Sequence, residues 1–221
     1  MQEIVEVDRA RDVINVTRRS FLVNGLSLSS GAVTALALGA LPTQVLANPS
    51  QSALADLWTR DRVIWLRRPQ SGEQLRAMYF SDGQVHWDTY ALICHMLRDV
   101  EEKTTYLDFD INLLNLIFGI QAWDEAERRR LYPFDVHSGF RTAAHNRRLE
   151  VDGAARNSLH MQRRALDGEI FGMQHSQLAK KGEFYKQGGV GLYSWGVHLD
   201  TGAVRRWGGG RAGRSIPELR K

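Results

Sequence analysis

Two histidines and one aspartate are the side chains of this sequence whose types and order best suit catalytic chemistry. His160 and Asp167 lie seven positions apart, a spacing that fits a loop residue and a residue on the following strand. His198 comes later, in another strand-like segment. Neutral imidazole and carboxylate groups are good zinc ligands, and a catalytic zinc uses three protein ligands and keeps one position for water. The three residues therefore predict one Zn²⁺ site, although their spacing alone is a weak signal.

The remaining histidines match no metal-ligand spacing and are His86, His95, His137, His145 and His175. The apolar pattern places His95 on an amphipathic helix and predicts that His145 lies on the exposed face of another helix. Cys94 is the only cysteine, which excludes an intramolecular disulfide and a thiolate metal cluster. Its apolar neighbours indicate a small buried residue rather than a nucleophile.

The elements that would position these side chains follow from the hydrophobic pattern. Apolar residues at helical spacing predict helices over 87–101 and 111–121, the second capped by Asp108 or Asp110, and a further helix over 142–151. Short apolar or alternating runs bounded by turn residues predict strands at 62–66, 74–80, 134–137, 165–170, 190–193, 197–199 and 204–207. This order predicts an α+β fold, a mostly antiparallel sheet backed by helices.

The first 47 residues have the features of an export signal. Arg18 and Arg19 precede a moderately apolar run over 22–41, and a small-residue site ends at Ala47. The pattern is typical of a secretory signal, and the paired arginines resemble a twin-arginine signal. Cleavage after Ala47 would leave a protein with no stable membrane span, and an uncleaved anchor is the alternative. The remainder divides into a linker over 48–58, one domain over 59–207 and a flexible basic tail over 208–221.

Composition excludes some classes of protein. A hydrophobic fraction of 43% fits a globular chain. The 29 basic and 25 acidic residues give a net charge of +4, but the basic residues are scattered in short runs. No nucleic-acid-binding motif accompanies them, so nucleic acid is not an expected partner. An anionic membrane surface or an anionic polymer such as cell wall also fits the basic charge.

Three segments carry a resemblance to a known family: 138–141, 157–161 and 197–202. In this order they resemble the D-Ala-D-Ala metallopeptidases and related murein endopeptidases, whose pattern is Ser-x-His-x6-Asp followed by a second His. Here that pattern is Ser158, His160, Asp167 and His198. The resemblance spans about residues 60–207 and is strongest to the exported endopeptidase branch. It implies a hedgehog/DD-peptidase-like fold, zinc bound by the two histidines and Asp167, peptidoglycan peptides as substrate and a periplasmic location.

The resemblance also implies roles for nearby residues. Arg141 would hold the substrate carbonyl and then the developing oxyanion, with a surface salt bridge as the alternative. Ser138 and Ser158 would bind substrate or orient ligands, or would simply be turn and loop residues. Asp200 shares a strand face with His198, and would act either as a general base or as a carboxylate that orients a ligand imidazole.

Two positions depart from the family pattern. Trp195 stands where many relatives carry a glutamate that acts as general base, although the exported branch tends to lack it. Arg163 replaces a glycine, and we expect its bulk to narrow the site or to add an anion contact. The leading hypothesis is a zinc peptidase acting on peptidoglycan stem peptides or cross-links. The alternatives are a catalytically silent zinc-containing domain that binds cell wall or a partner, and an unrelated extracytoplasmic hydrolase.

Overall fold

The computed structural model describes residues 56–151 and 153–208. The predicted export signal over 1–47, most of the linker and all but the first residue of the basic tail lie outside these residues. Twelve labelled helices and strands follow one another in the described chain: β1 (Arg62–Arg68), β2 (Glu73–Ser81), β3 (Gln84–Val85), α1 (Trp87–Met96), α2 (Ile111–Arg128), β4 (Phe134–Ser138), α3 (Ala143–Glu150), β5 (Ala165–Ile170), α4 (His175–Tyr185), β6 (Gly189–Tyr193), β7 (Gly196–Asp200) and β8 (Arg205–Gly208).

The eight strands form one sheet in the order β3-β2-β1-β4-β5-β7-β6-β8. β1 pairs with β4 in parallel, and β6 pairs with β8 in parallel, whereas the other neighbours are antiparallel. The fold is α+β as predicted, but the sheet is mixed, and the prediction of a mostly antiparallel sheet was wrong. The parallel pairs arise because two helices separate β1 from β4 along the chain, and because the chain passes β6 after β7, so that β8 pairs with the far edge of β6.

Two helices differ from the sequence prediction. α1 ends at Met96 rather than near residue 101, because the chain turns there and Asp99 forms a bridge with Thr104. α4 was not predicted, since its glycine looked like a chain breaker. Gly182 lies inside α4 for a packing reason: a Cβ there would lie 2.6 Å from a methyl group of Leu199.

The hydrophobic core lies between one face of the sheet and the helices. Ile64, Phe134 and Leu199 point from the strands into it, and Ile117 of α2 and Leu178 of α4 are buried against them. Cys94 is fully buried in this core, as its neighbours predicted.

The packed domain also includes the end of the segment that was expected to be linker. Residues 56–58 are helical, Leu57 is buried, and Trp58 packs against Phe118 with ring centroids 6.2 Å apart. None of the helices within residues 56–151 and 153–208 combines the length and the apolar character that crossing a bilayer requires.

The opposite face of the sheet carries a row of residues in register across five strands. Ser138 of β4 lies opposite Asp167 of β5, and Asp167 lies opposite His198 of β7. His198 in turn pairs with Gly191 of β6, and Gly191 with Trp207 of β8. Strand pairing therefore brings side chains that are distant in sequence into one line.

Candidate metal centre

The structure brings His160, Asp167 and His198 together. Each offers one ligand atom, and these three atoms lie within 4.8 Å of one another. His160 Nε2 lies 3.2 Å from Asp167 Oδ2, and His198 Nδ1 lies 2.7 Å from Asp167 Oδ1. Asp167 and His198 are cross-strand partners, while His160 reaches them from the loop that precedes β5.

Backbone contacts fix the orientation of the His160 ring. Its Nδ1 lies 2.7 Å from the carbonyl oxygen of Gly139, so Nδ1 carries the hydrogen and Nε2 keeps a free lone pair. Gly139 can make this contact because the chain passes very close to Leu97, whose carbonyl oxygen would lie 2.4 Å from a Cβ at position 139. Burial, then the charge of Arg141, lowers the pKa of His160 to about 4. The ring is therefore neutral at neutral pH, as a metal ligand must be.

Two carboxylates hold His198. Its Nδ1 faces Asp167, and its Nε2 lies 3.0 Å from Asp200 Oδ2. Burial on its own would lower the pKa of His198, but the hydrogen bonds to Asp167 and Asp200 outweigh it and raise the pKa. Burial would raise the pKa of Asp167, but His160 and Arg141 hold it well below its usual range.

Asp200 is fully buried, and its oxygens are already occupied. Oδ1 accepts hydrogen bonds from the backbone amides of Gly189 and Gly202, each at 2.8 Å. Oδ2 accepts from Arg205 at 2.7 Å and contacts His198. Burial would raise the pKa of Asp200, but the hydrogen bonds from His198 and from the two amides lower it far below the usual range. Such a carboxylate is suited to orienting an imidazole.

Arg141 lies at the centre rather than on the surface. Its side chain is 5% exposed, its Nε donates to Ser138 Oγ at 2.7 Å, and its Nη2 donates to Asp167 Oδ2. The surface salt bridge considered for Arg141 is therefore not what the structure shows. Ser158, also buried, accepts a hydrogen bond from the backbone amide of His160 at 3.3 Å.

An aromatic group on β6 and β8 adjoins the centre and was not predicted as part of it. The ring of Trp207 lies 5.2 Å from that of His198, and its Nε1 donates to Tyr193 Oη at 2.6 Å. Gly191 makes this approach possible, because a Cβ there would lie 2.6 Å from the indole. The sequence predicted β6 from its short apolar run between glycines. It did not show that β8, which carries Trp207, pairs with β6.

The two departures from the family pattern have local explanations. Trp195 stacks on Tyr193 with ring centroids 4.8 Å apart and interplanar angle 8°. Arg163 has a φ of 57°, in the left-handed region that favours glycine. Its Nε lies 2.5 Å from Asp108 Oδ1, and its guanidinium packs over Tyr106. Arg163 is thus paired with an acid outside the ligand group.

His145 does not lie on an exposed helix face, contrary to the prediction. It is buried, and its Nδ1 lies 3.0 Å from both carboxylate oxygens of Asp99. The helical pattern could not show this, because α3 is covered by the loop after α1 rather than by a regular element. The position of His95 on α1 is exposed.

Comparisons with known proteins identify the family of the domain that contains these residues. A family profile described as peptidoglycan L,D-endopeptidase MepK matches residues 58–207, which contain every residue of the centre. The chain belongs to this M15 peptidase family. The peptidoglycan L,D-endopeptidase MepK of Escherichia coli (strain K12) is 29% identical over 178 residues, covering 78% of this chain and 94% of the relative. The probable peptidoglycan L,D-endopeptidase MepK of Haemophilus influenzae is 28% identical over 186 residues, covering 82% and 94%.

Family membership confirms the predicted resemblance to murein endopeptidases. The match extends over almost all of the described chain, so the sheet, the helices behind it and the candidate ligands belong to one family domain. The twin-arginine branch that the resemblance also suggested concerns residues 1–47, which the match does not reach.

Proposed function

We propose that the chain is a zinc metallopeptidase that hydrolyses peptide bonds in peptidoglycan stem peptides or cross-links. The observation that carries the proposal is the convergence of His160, Asp167 and His198, with ligand atoms within 4.8 Å of one another. Membership of the M15 family supports it. Because the relatives are named as L,D-endopeptidases, an L,D bond is the proposed substrate bond.

The donor set fits zinc. Two imidazoles and one carboxylate are the ligand types of a catalytic zinc, which keeps a further position open. Gly139 holds His160 with Nε2 free, and Asp200 holds His198 with Nδ1 facing Asp167. When bound, the metal would supply a water of pKa about 7 and would polarise the scissile carbonyl group.

The protein groups around this set have separate proposed roles. Arg141 is a permanently charged donor beside Asp167, so it would hold the substrate carbonyl oxygen and stabilise the negative charge that develops there. Ser138 accepts from Arg141 Nε and orients the guanidinium toward substrate. Ser158 supports the loop that carries His160.

Asp200 is proposed as a positioning residue rather than as a general base. A base must have a free lone pair near the reacting water. The oxygens of Asp200 accept from two amides, from Arg205 and from His198, and its side chain has no exposed surface. Carboxylates behind a ligand histidine orient the ring and raise its basicity.

The absence of a placed general base among the described residues favours a second candidate function. In this alternative the chain is a catalytically silent domain that binds zinc and cell-wall peptides. Trp195 occupies the position where many members of the resembled metallopeptidase family carry a glutamate that acts as general base. Its ring packs on Tyr193. With Asp200 saturated, neither residue is placed to take a proton from water. The two candidate functions therefore differ in one requirement: the enzyme needs a metal-bound water that reacts without a protein base, and the binding domain does not.

The location proposed for the protein is the periplasm. Peptidoglycan lies outside the cytoplasm, and the signal predicted over residues 1–47 would deliver the protein there through the twin-arginine export machinery. That route carries folded cargo, which suits a domain that binds its metal before crossing the membrane.

Digestion of cross-linked muropeptides tests the proposed activity. Protein covering residues 48–221, loaded with zinc, should cleave muropeptide dimers, and His160→Ala should lose this cleavage together with tight zinc binding. His95→Ala is the matched control, because the same change at an exposed histidine of α1 should leave cleavage intact. One equivalent of bound zinc without cleavage of any dimer or stem peptide would favour the binding domain.

A further inference from the structure

Arg68, the last residue of β1, is a buried cation that forms no salt bridge with any residue of 56–151 or 153–208. It is 2% exposed, and its Nε has no hydrogen-bond partner in the part of the chain that the structure describes. Its Nη2 donates to the backbone carbonyl oxygen of Arg98 at 3.1 Å. Burial, then the charge of Arg98, lowers the pKa of Arg68 to about 10, so the guanidinium is still charged at neutral pH.

The acids near Arg68 are committed to other groups. Asp99 accepts from the backbone amide of Thr142 at 2.8 Å and contacts His145. Glu73 forms a salt bridge with Arg98 at 2.9 Å. The charges of Asp99 and Glu73 reach Arg68, but neither acid forms a salt bridge with it within residues 56–151 and 153–208.

An unpaired charge in this position is unfavourable for folding alone. Transfer of a guanidinium from water into the protein interior carries a desolvation penalty that a partner must offset, and an apolar side chain of the same volume often does better. Several N–H donors of the planar Arg68 guanidinium instead have no acceptor among the described residues. The described residues do not supply an acidic partner for Arg68, and a bound ligand is a source of one.

The surroundings of Arg68 connect it to the metal centre. Arg68 lines a pocket together with Arg98, residues 99–101 of the loop that follows α1, and His145 and Leu149 of α3. Ser138 and Arg141 line the same pocket, and both belong to the site described above. A group bound at Arg68 would therefore lie beside the peptide that Arg141 holds.

We propose that Arg68 binds a free carboxylate of the peptide substrate next to the scissile bond and thereby selects peptides that carry one. The inference rests on the proposed peptidase function and names a recognition element for it. A planar guanidinium pairs with a carboxylate through two parallel hydrogen bonds, a geometry that an amide or an ammonium group cannot reproduce. The peptide carboxylate is then the counter-ion of Arg68, which the described residues do not provide.

Two matched substrates test the inference. The purified, zinc-loaded protein is given a cross-linked peptide dimer with a free carboxylate beside the cleaved bond, and the same dimer with that carboxylate amidated. We expect kcat/KM to be about 10- to 100-fold higher for the free acid, the worth of one charged hydrogen bond. Arg68→Met should bring this ratio to about 1, mainly through KM. Arg76→Met removes the same charge from an exposed position of β2 and should preserve the ratio.

The outcomes separate this inference from the proposed function. Cleavage of both peptides at equal rates by the unmutated protein would overturn the role of Arg68 while leaving the peptidase intact. Cleavage of neither would overturn the peptidase, and calorimetric titration of the two dimers would then decide the inference. In that titration the free acid should bind at least about 10-fold more tightly, with the difference lost in Arg68→Met.

A second variant covers the case in which Arg68→Met does not fold. Arg68→Lys keeps the charge and most of the side-chain volume but lacks the planar fork. Circular dichroism and thermal melting would establish its folding. We expect the preference for the free acid to fall severalfold, and an unchanged preference in folded Arg68→Lys would contradict recognition by the guanidinium.

Discussion

Among the residues around His198, Asp200 is a charged group that is held entirely by protein partners. Asp200 receives two backbone amides and a guanidinium, and together they hold it ionised although it is fully buried. An ionised acceptor at Nε2 keeps the hydrogen on that nitrogen, so Nδ1 of His198 is the atom left for a metal. Glycines at 189 and 202 allow the backbone to approach Asp200 closely enough to donate.

Replacement of the Asp200 carboxylate should lower the affinity for zinc and should leave the pH dependence of kcat unchanged. We expect Asp200→Asn to lower zinc affinity about 10- to 100-fold, the effect typical of groups behind a ligand histidine. Competition with a zinc chelator measures the affinity, and Asp88→Asn on the exposed surface of α1 is the control. At saturating zinc the acidic limb of the kcat against pH profile should stay in place. Unchanged zinc affinity with loss of that limb would instead identify Asp200 as the general base.

At this scale, part of the candidate site could be predicted from the sequence. His160, Asp167 and His198 stand out by residue type and by their order within a family pattern, and the structure places their ligand atoms together. Arg68 and His145 could not be recognised, because each is defined by what surrounds it. An arginine at a strand end looks solvent-exposed until the loop after α1 covers it. His145 looks like a surface residue until Asp99 lies over it.

Among the elements, strand pairing does most of the positioning. Ser138, Asp167, His198, Gly191 and Trp207 occupy one row across five strands, so a change of register in any pair would separate them. The strands themselves were predictable from turn residues and alternation. Their parallel pairs were not, since the pattern along one strand does not record the direction of its neighbour. α4 was missed because packing against Leu199, rather than helix propensity, requires Gly182.

Asp99 joins two elements that border the pocket, the loop after α1 and the N-terminus of α3. Its Oδ1 accepts from the amides of Glu101 and Glu102 at 3.2 and 3.3 Å, and its Oδ2 accepts from the Thr142 amide at 2.8 Å. Burial would raise the pKa of Asp99, but the hydrogen bond to His145 and those from the amides outweigh it and lower the pKa to about 2.

This lowered pKa predicts how stability depends on pH. Because Asp99 binds its proton more weakly in the folded than in the unfolded protein, its contribution is complete above about pH 4 and is lost as pH falls toward 2. We expect Asp99→Asn to reduce the free energy of unfolding by about 1–2 kcal/mol at pH 6. Urea denaturation at several pH values measures the difference between the two proteins, which should shrink between pH 4 and pH 2.

The control for this measurement is Asp61→Asn, an exposed aspartate before β1. Its stability should follow that of the unmutated protein at every pH. A difference for Asp99→Asn that stays constant down to pH 2 would mean that the charge of Asp99 contributes nothing, and that only its shape or its hydrogen-bonding capacity matters.

For the whole molecule, we expect the described domain to carry the proposed activity and residues 1–47 to direct export. The domain contains the complete candidate centre, since the family match over 58–207 includes all of its residues. The chain as a whole carries a net charge of +4, which favours approach to an anionic polymer over a range set by screening. The location of that polymer makes export a requirement of the proposed function.

Export provides the prediction that belongs to this scale. If the paired arginines direct the chain to the twin-arginine machinery, Arg18→Lys with Arg19→Lys should hold the precursor in the cytoplasm although charge is unchanged. Cell fractionation followed by immunoblotting measures the distribution. The matched control is Arg9→Lys with Arg11→Lys, the same change outside the pair. Because only recognition of the pair distinguishes the two variants, normal arrival of the Arg18/Arg19 variant in the periplasm would reject twin-arginine export and leave the proposed peptidase chemistry unaffected.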